Sequence, residues 1–455
     1  MRLVSSPYPP QITPVHTMTA TGLSGHPLSG TRSRNFAVSS IFEALAPRGP
    51  IKSADQQWDV FLSYRSVNRP WVLRLYDQLR HLGYEVFMDQ FVLTTSGGLN
   101  MQLEQHLERS SAAVLIWSSR SEESKWCEDE YAALRTLEKT NRSFRYVVVR
   151  VDDVELPLMA QAHLWIDFSA QPDGPTGTGL LRLLHGLHQK PLSDEAVRVA
   201  AQFDEAVSRA LTKVGAARSN GDVEALLELA KSKAPEWTTT AMLRCKVAES
   251  LIALKRPADA VPLLDELIAL FPRSIRPQQL KGLALARQGQ WRAAQQVLGE
   301  LHELGERDPE TLGILARTWR DRYAESQDKL HLRKARNLYA EAFELTPSDF
   351  YTGINAAANS VLLGDLKDAE KFATAVERLV GTERRKRDYW GTATVAEVQL
   401  IRGRFTQAAA LYAAAVEDDP EAKGNHDSTR AQARRLMEVL LPTDAERAAI
   451  EDAFG

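Results

Sequence analysis

Alanine returns in one frame at positions 260, 294, 335, 369 and 408. In the clearest copies an aromatic or leucine follows four residues later, a small or apolar residue at seven and proline at twelve. ARNLYAEAFELTP (335–347) shows the full pattern. Glycine precedes several copies, as Gly221, Gly289, Gly364 and Gly403. Ala260 to Ala294 and Ala335 to Ala369 are each 34 residues apart, with longer steps where insertions fall. Such a period restricts the fold severely. Small residues let two helices approach, glycine turns the chain between them, and proline ends the second helix. One helical pair cannot bury its own apolar face, so neighbours must stack and share a continuous core. The period is that of tetratricopeptide repeats, and strand signals are absent across residues 193–441. An all-α solenoid is expected over 191–441, followed by a C-terminal tail, 442–455.

The preceding stretch, residues 54–190, has another rhythm. Strand-like runs at 58–64, 84–89, 112–118, 144–152 and 163–169 alternate with helical runs at 69–83, 99–110, 127–139 and 179–190. Gly83 is a good stop for the first of these helices. Continuous apolar strands alternating with helices predict a parallel, flavodoxin-like α/β sheet covered on both faces. Ligands of such sheets sit beyond the C-terminal strand ends, which makes 63–70, 89–98 and 118–126 the loops to watch. Residues 1–53 are rich in Ser, Pro, Thr and Gly without sustained periodicity and are expected to be a disordered arm.

A length of 455 residues suggests two or three domains, and a net charge of −3 gives no basic footprint for nucleic acid. Runs such as AAVLIW (112–117) and YVVVRV (146–151) are too short to cross a bilayer. With two cysteines, Cys127 and Cys245, and no secretory signal, a cytoplasmic location is expected. His185 and His188 share a helix face but lack acidic or thiol companions, so no metal is expected.

The stretch SKWCEDEY (124–131) concentrates three acids at a helix start, where carboxylates favour the macrodipole. Trp126 and Glu130 stand four apart and share a face, whereas Glu128 and Asp129 do not join them. Helix electrostatics alone account for all three acids.

Several segments, in order, resemble a TIR (Toll/interleukin-1 receptor) domain: DVFLSYRS (59–66), GYEVFMD (83–89) and SSAAVLIWSSRSEESKWCEDEYAAL (110–134). The loop carries TTSGG in place of the Arg-Asp-x-x-Pro-Gly of many receptor-type members, and Asn68 stands near a position often held by Asp. The resemblance is to the NAD⁺-cleaving side of the family. It implies cleavage of the nicotinamide–ribose bond with NAD⁺ as substrate, no cofactor, and Glu130 of the Trp-Cys-x-x-Glu segment as the catalytic carboxylate. It places Tyr64, Arg65, Ser66, Asp89 and Trp126 as candidate substrate contacts, and it implies self-association through TIR domains. DFYTGINAAANSVLLGD (349–365) and residues 387–416 resemble the tetratricopeptide-like TRAF-binding domain of MAP kinase kinase kinases. This implies an array that takes a protein or ligand partner and regulates the preceding domain, in innate or antiphage immunity. The alternative is a noncatalytic scaffold that recruits partners through its repeats. Neither nucleic acid nor membrane is an expected partner.

Overall fold

The computed structural model describes residues 45–65, 68–88, 99–119, 121, 125–161, 164–272, 274–382, 388–421 and 423–455. Side chains at 99–102, 125–130, 159 and 382 lie outside the described set, as does the expected arm up to residue 44.

Five parallel strands form one sheet: β1 (Trp58–Ser63), β2 (Val86–Phe87), β3 (Ser110–Trp117), β4 (Arg145–Arg150) and β5 (Trp165–Asp167). Their order is β2-β1-β3-β4-β5. Leu62 lies opposite Val114, which lies opposite Val147. Every residue of β3 is buried, as the continuous apolar run requires of a central strand covered on both faces. Helices α1 (Arg69–His81), α2 (Leu99–Glu108), α3 (Lys125–Thr140), the short α4 (Leu158–Gln161) and α5 (Gly177–Leu187) make the connections. Gly83 stops the first crossover with a φ of +90°.

The two sheet faces pack differently. On one, Phe61, Phe87, Trp117, Tyr131, Leu134, Phe144 and Tyr146 form an aromatic core with α2 and α3. On the other, Val60, Leu62, Val114 and Ile116 meet Val72, Leu75 and Leu79 of α1 and Leu180, Leu183 and Leu184 of α5. That second core runs on without a break into the helical array, reaching Leu251, Leu264 and Leu280.

The array opens with α6 (Asp194–Ser219), whose Ser193 cap accepts from the Ala196 N–H, and with α7 (Val223–Ala230) and α8 (Pro235–Thr238). Six helical pairs follow: α9 (Met242–Ala253) with α10 (Pro257–Leu270), α11 (Ile275–Arg287) with α12 (Trp291–Glu303), α13 (Pro309–Ser326) with α14 (Lys329–Leu345), α15 (Phe350–Leu363) with α16 (Leu366–Thr382), α17 (Tyr389–Ile401) with α18 (Phe405–Asp418), and α19 (Lys423–Leu440) with α20 (Asp444–Asp452). All five frame alanines lie on second helices and are fully buried. Gly221, Gly289, Gly364 and Gly403 turn the chain at φ of +67° to +82°. Three more turns use Lys255, Gln327 and Leu441 in the same left-handed region, a conformation that disfavours a residue with Cβ. Arg276 of α11 bonds Glu249 of α9 at 2.8 Å and Glu310 of α13 at 2.6 Å, tying three consecutive first helices together.

Two boundaries differ from expectation. Residues 442–455, expected as a tail, carry α20. Thr443 and Glu446 form a reciprocal capping box there, Ile450 is buried, and the Phe454 ring lies 5.1 Å from that of Tyr412. Residues 45–53, expected within the disordered arm, are packed on the sheet. The buried Asp59 carboxylate accepts backbone N–H bonds from Ile51 (2.5 Å), Lys52 (2.7 Å) and Glu85 (2.6 Å), and the Tyr84 hydroxyl donates to the Pro47 carbonyl.

Candidate active site

The strand order reverses between β1 and β3, and a sheet of this kind opens its ligand crevice at that switch point, beyond the C-terminal strand ends. Tyr64 and Arg65, both half-buried, leave β1 there. The loops around the crevice are braced. The Asn68 side-chain amide donates to Ser118 Oγ at 2.9 Å, joining the loop after β1 to the end of β3. Ser118 N–H donates to Ser121 Oγ at 3.1 Å. Ser119 donates through its N–H (2.9 Å) and its hydroxyl (2.7 Å) to Asp152 beyond β4. Each polar backbone group tied in this way reduces the freedom of a loop that must keep its shape.

Helix α3 follows β3, the strand next to β1 at that switch point. Trp126 and Glu130 lie in its first two turns, four residues apart; their side chains fall outside the described residues, as do Ser66, Asp89 and the loop 89–98. The helix is seated by residues just beyond. Tyr131 and Leu134 are buried against the sheet, with the Tyr131 ring 6.2 Å from that of Tyr146. The backbone therefore brings Tyr64, Arg65 and the helix that carries Trp126 and Glu130 to neighbouring strand ends.

Local patterning could not reveal the contact that continues from Tyr64. Arg69, at the start of α1, donates through Nη1 to the Tyr64 hydroxyl at 2.6 Å. Its Nη2 forms an ion pair with Glu306, in the turn between α12 and α13. Both side chains of that pair are buried. Burial pushes the Glu306 carboxyl up to about 8, and the Arg69 charge beside it offsets only part of that rise. The Asp308 N–H donates to the same Glu306 oxygen at 3.3 Å, and Asp308 in turn caps α13.

Other polar contacts reinforce this junction. Asp77 of α1 accepts from the Ile275 N–H at 3.2 Å, and burial raises its carboxyl to about 7 against the bonds from residues 274–276. Asp173 meets Lys246 of α9 at 2.6 Å. Asp204 of α6 accepts from Thr176 Oγ1 (3.0 Å) and the Thr178 N–H (2.8 Å) at the start of α5. A Cβ on Gly177, at φ +45°, would overlap the Asp204 carboxylate at 1.8 Å, so only glycine permits that approach. His188 meets the Tyr84 hydroxyl at 2.8 Å, and His185 lies between the carbonyls of Pro191 and Leu45. Burial raises the Cys245 thiol to about 12, which leaves no thiolate for nucleophilic chemistry at neutral pH.

Comparison with known families agrees with this architecture. Residues 60–184 match the family model of the TIR domain, and residues 256–363 match the Tetratricopeptide Repeats-Sensor family. The chain thus joins a TIR domain to a tetratricopeptide-repeat sensor array. No curated protein matches the sequence at a significant level. A solved thermophilic TPR protein of Thermus thermophilus is similar at 19% identity, covering 43% of this chain and 97% of its own, with a TM-score of 0.35. MamA of Desulfovibrio magneticus is similar at 20% identity, covering 40% and 97%, with a TM-score of 0.31. Human IFIT1, solved as a dimer with m7Gppp-AAAA, shares 11% identity over 86% of this chain and 95% of its own, with a TM-score of 0.37. No described helix is long and apolar enough to cross a membrane.

Proposed function

We propose that the protein is an NAD⁺ nucleosidase whose TIR domain cleaves the nicotinamide–ribose bond under control of the repeat array, in an immune pathway of the cytoplasm. The observation that carries the reading is the position of Glu130: in a segment matched as a TIR domain, near the start of the helix that follows β3, beside the sheet's switch point. The chemistry asks little more of the protein than one well-placed carboxylate. The C1′–N bond breaks with its electron pair moving to the nicotinamide ring, which leaves neutral. The ribosyl group left behind is oxocarbenium-like, as in glycoside cleavage generally. The Glu130 carboxylate stabilises that developing charge and holds the ribose hydroxyls. Water adds to C1′, and its proton passes to solvent, giving ADP-ribose; attack from within the same molecule instead gives a cyclic product. Arg65 is suited to the pyrophosphate, and Tyr64, Ser66, Asp89 and Trp126 serve as further substrate contacts. Self-association of TIR domains completes the active form, and the array takes the activating protein or ligand.

The test is NAD⁺ consumption by the full chain, with crowding or forced oligomerisation, for the wild type, Glu130→Gln and Glu130→Ala. Loss of cleavage in both variants supports the assignment. Cleavage that persists in both removes Glu130 from the role, and an assembled wild type without cleavage points to the scaffold. Product analysis distinguishes hydrolysis from cyclisation.

A further inference from the structure

We propose that Arg69 is a positioning residue through which the repeat array sets the Tyr64 contact at the substrate crevice. The inference deepens the NAD⁺ reading and rests on it for the identity of the substrate. Its geometry is independent of that reading. Arg69 has a planar fork with donors on separate nitrogens. Nη1 holds the Tyr64 hydroxyl at 2.6 Å, and Nη2 is held by Glu306, 237 residues further along the chain. The guanidinium is buried, so it has little solvent to turn towards if one arm is released. Glu306 in turn sits in a hydrogen-bonded turn of the array. Its turn is closed by the Glu306 N–H bond to the Leu301 carbonyl at 2.9 Å. Asp308 links it to α11, because the Gln279 side-chain amide donates to Asp308 Oδ2 at 3.0 Å. A continuous set of charge-assisted bonds thus runs from the first helix of one repeat, through the turn before α13, to the hydroxyl of Tyr64.

Movement of the 304–308 turn relative to α1 removes the carboxylate from Arg69. A buried guanidinium that loses this carboxylate must reorient or hydrate, and its bond to the Tyr64 hydroxyl is disturbed with it. The array therefore does more than cover α1: its seating fixes a side chain at the end of β1. A lysine cannot replace Arg69, since a single ammonium lacks the separated donors needed to satisfy both partners in place.

The experiment uses the full chain and four variants: Tyr64→Phe, Glu306→Gln, their double, and Arg69→Lys. Two quantities are read: KM and kcat for NAD⁺ cleavage, and amide hydrogen exchange at Tyr64 and Arg65. Tyr64→Phe and Glu306→Gln should each raise KM about ten-fold, the equivalent of one charge-assisted hydrogen bond, with a smaller change in kcat. The double variant should be no worse than Tyr64→Phe alone, because Glu306 acts through Tyr64. Arg69→Lys should resemble Glu306→Gln, and exchange at Tyr64 and Arg65 should rise in both while β3 stays protected. Multiplicative effects in the double variant would overturn the proposal. If the wild type cleaves no NAD⁺, the functional reading fails and exchange alone decides the coupling: unchanged protection at Tyr64 and Arg65 in a folded Glu306→Gln sinks it. Should Glu306→Gln fail to fold, Glu306→Asp, which keeps the charge but shortens its reach, takes its place in both measurements.

Discussion

The two faces of the TIR sheet solve the same burial problem in different ways. The face under α2 and α3 is sealed by its own aromatic residues. Phe61 and Phe87 stack at 4.9 Å, and Trp58 meets Phe87 edge-on at 5.6 Å. On the face under α1 and α5 the strand residues are aliphatic, and the helices are covered a second time, by the array. A helix with apolar residues on two sides needs two partners. The α1 sequence WVLRLYDQL supplies both, burying Trp71, Val72, Leu73, Leu75 and Leu79. One face thus belongs to a domain, while the other is a junction between domains.

This contrast can be broken most strongly with paired core truncations. Leu75 on the junction face and Leu134 on the sealed face are both fully buried. Leu75→Ala and Leu134→Ala should each cost about 2–5 kcal/mol. Their reach should differ. Leu75→Ala is expected to raise hydrogen exchange in α9–α11 as well as in the sheet, whereas Leu134→Ala leaves those array helices protected. Equal spread in both variants would show that the faces are equivalent.

A smaller effect comes from pH. The folded-state carboxyl of Asp77 sits at about 7, above the ordinary aspartate value. Its contribution is therefore fully present below about pH 4 and is lost as pH rises through about 7. The junction should weaken over that interval by up to about 4 kcal/mol. Asp77→Asn keeps an acceptor for the Ile275 N–H and should flatten this part of the stability–pH curve, measured by urea unfolding. A slope unchanged by the substitution would assign the pH dependence to other groups.

The smallest effect serves as a distal control. Gly364 has φ +82° and open space around its missing Cβ. Gly364→Ala should cost only the backbone strain, about 1 kcal/mol. The loss should appear in the array's melting and leave exchange at β1 unchanged.

The array was the most legible part of the sequence because close helix packing imposes a frame: small residues at the contact, glycine at the turn, proline after the second helix. Legibility failed where another residue carries the turn. Lys255 occupies the place that Gly289, Gly364 and Gly403 take in other copies, five residues before the frame alanine. The C-terminal helix did leave a signal, the Thr443-x-x-Glu446 capping box, in a stretch expected to be a tail. In the TIR domain, strand–helix alternation located the sheet, and the rule of C-terminal strand ends placed Tyr64 and Arg65 beside a crevice. The partner of Tyr64 could not be found in that way. Arg69 reads locally as a helix-start residue, and Glu306 as an acid in a turn. Only the folded chain brings them together, and no periodicity encodes a contact across 237 positions. The same applies to Asp59, whose carboxylate gathers N–H groups from residues 51, 52 and 85.

The central claim is that this TIR domain uses Glu130 to break the nicotinamide–ribose bond. Its most direct measurement is release of nicotinamide from NAD⁺ by the assembled full-length chain, wild type against Glu130→Gln, with both confirmed folded by their melting curves. The account predicts release by the wild type and its loss in the variant, the charge being removed with little change in shape. Equal release by the two proteins, or none from an assembled wild type, would contradict it.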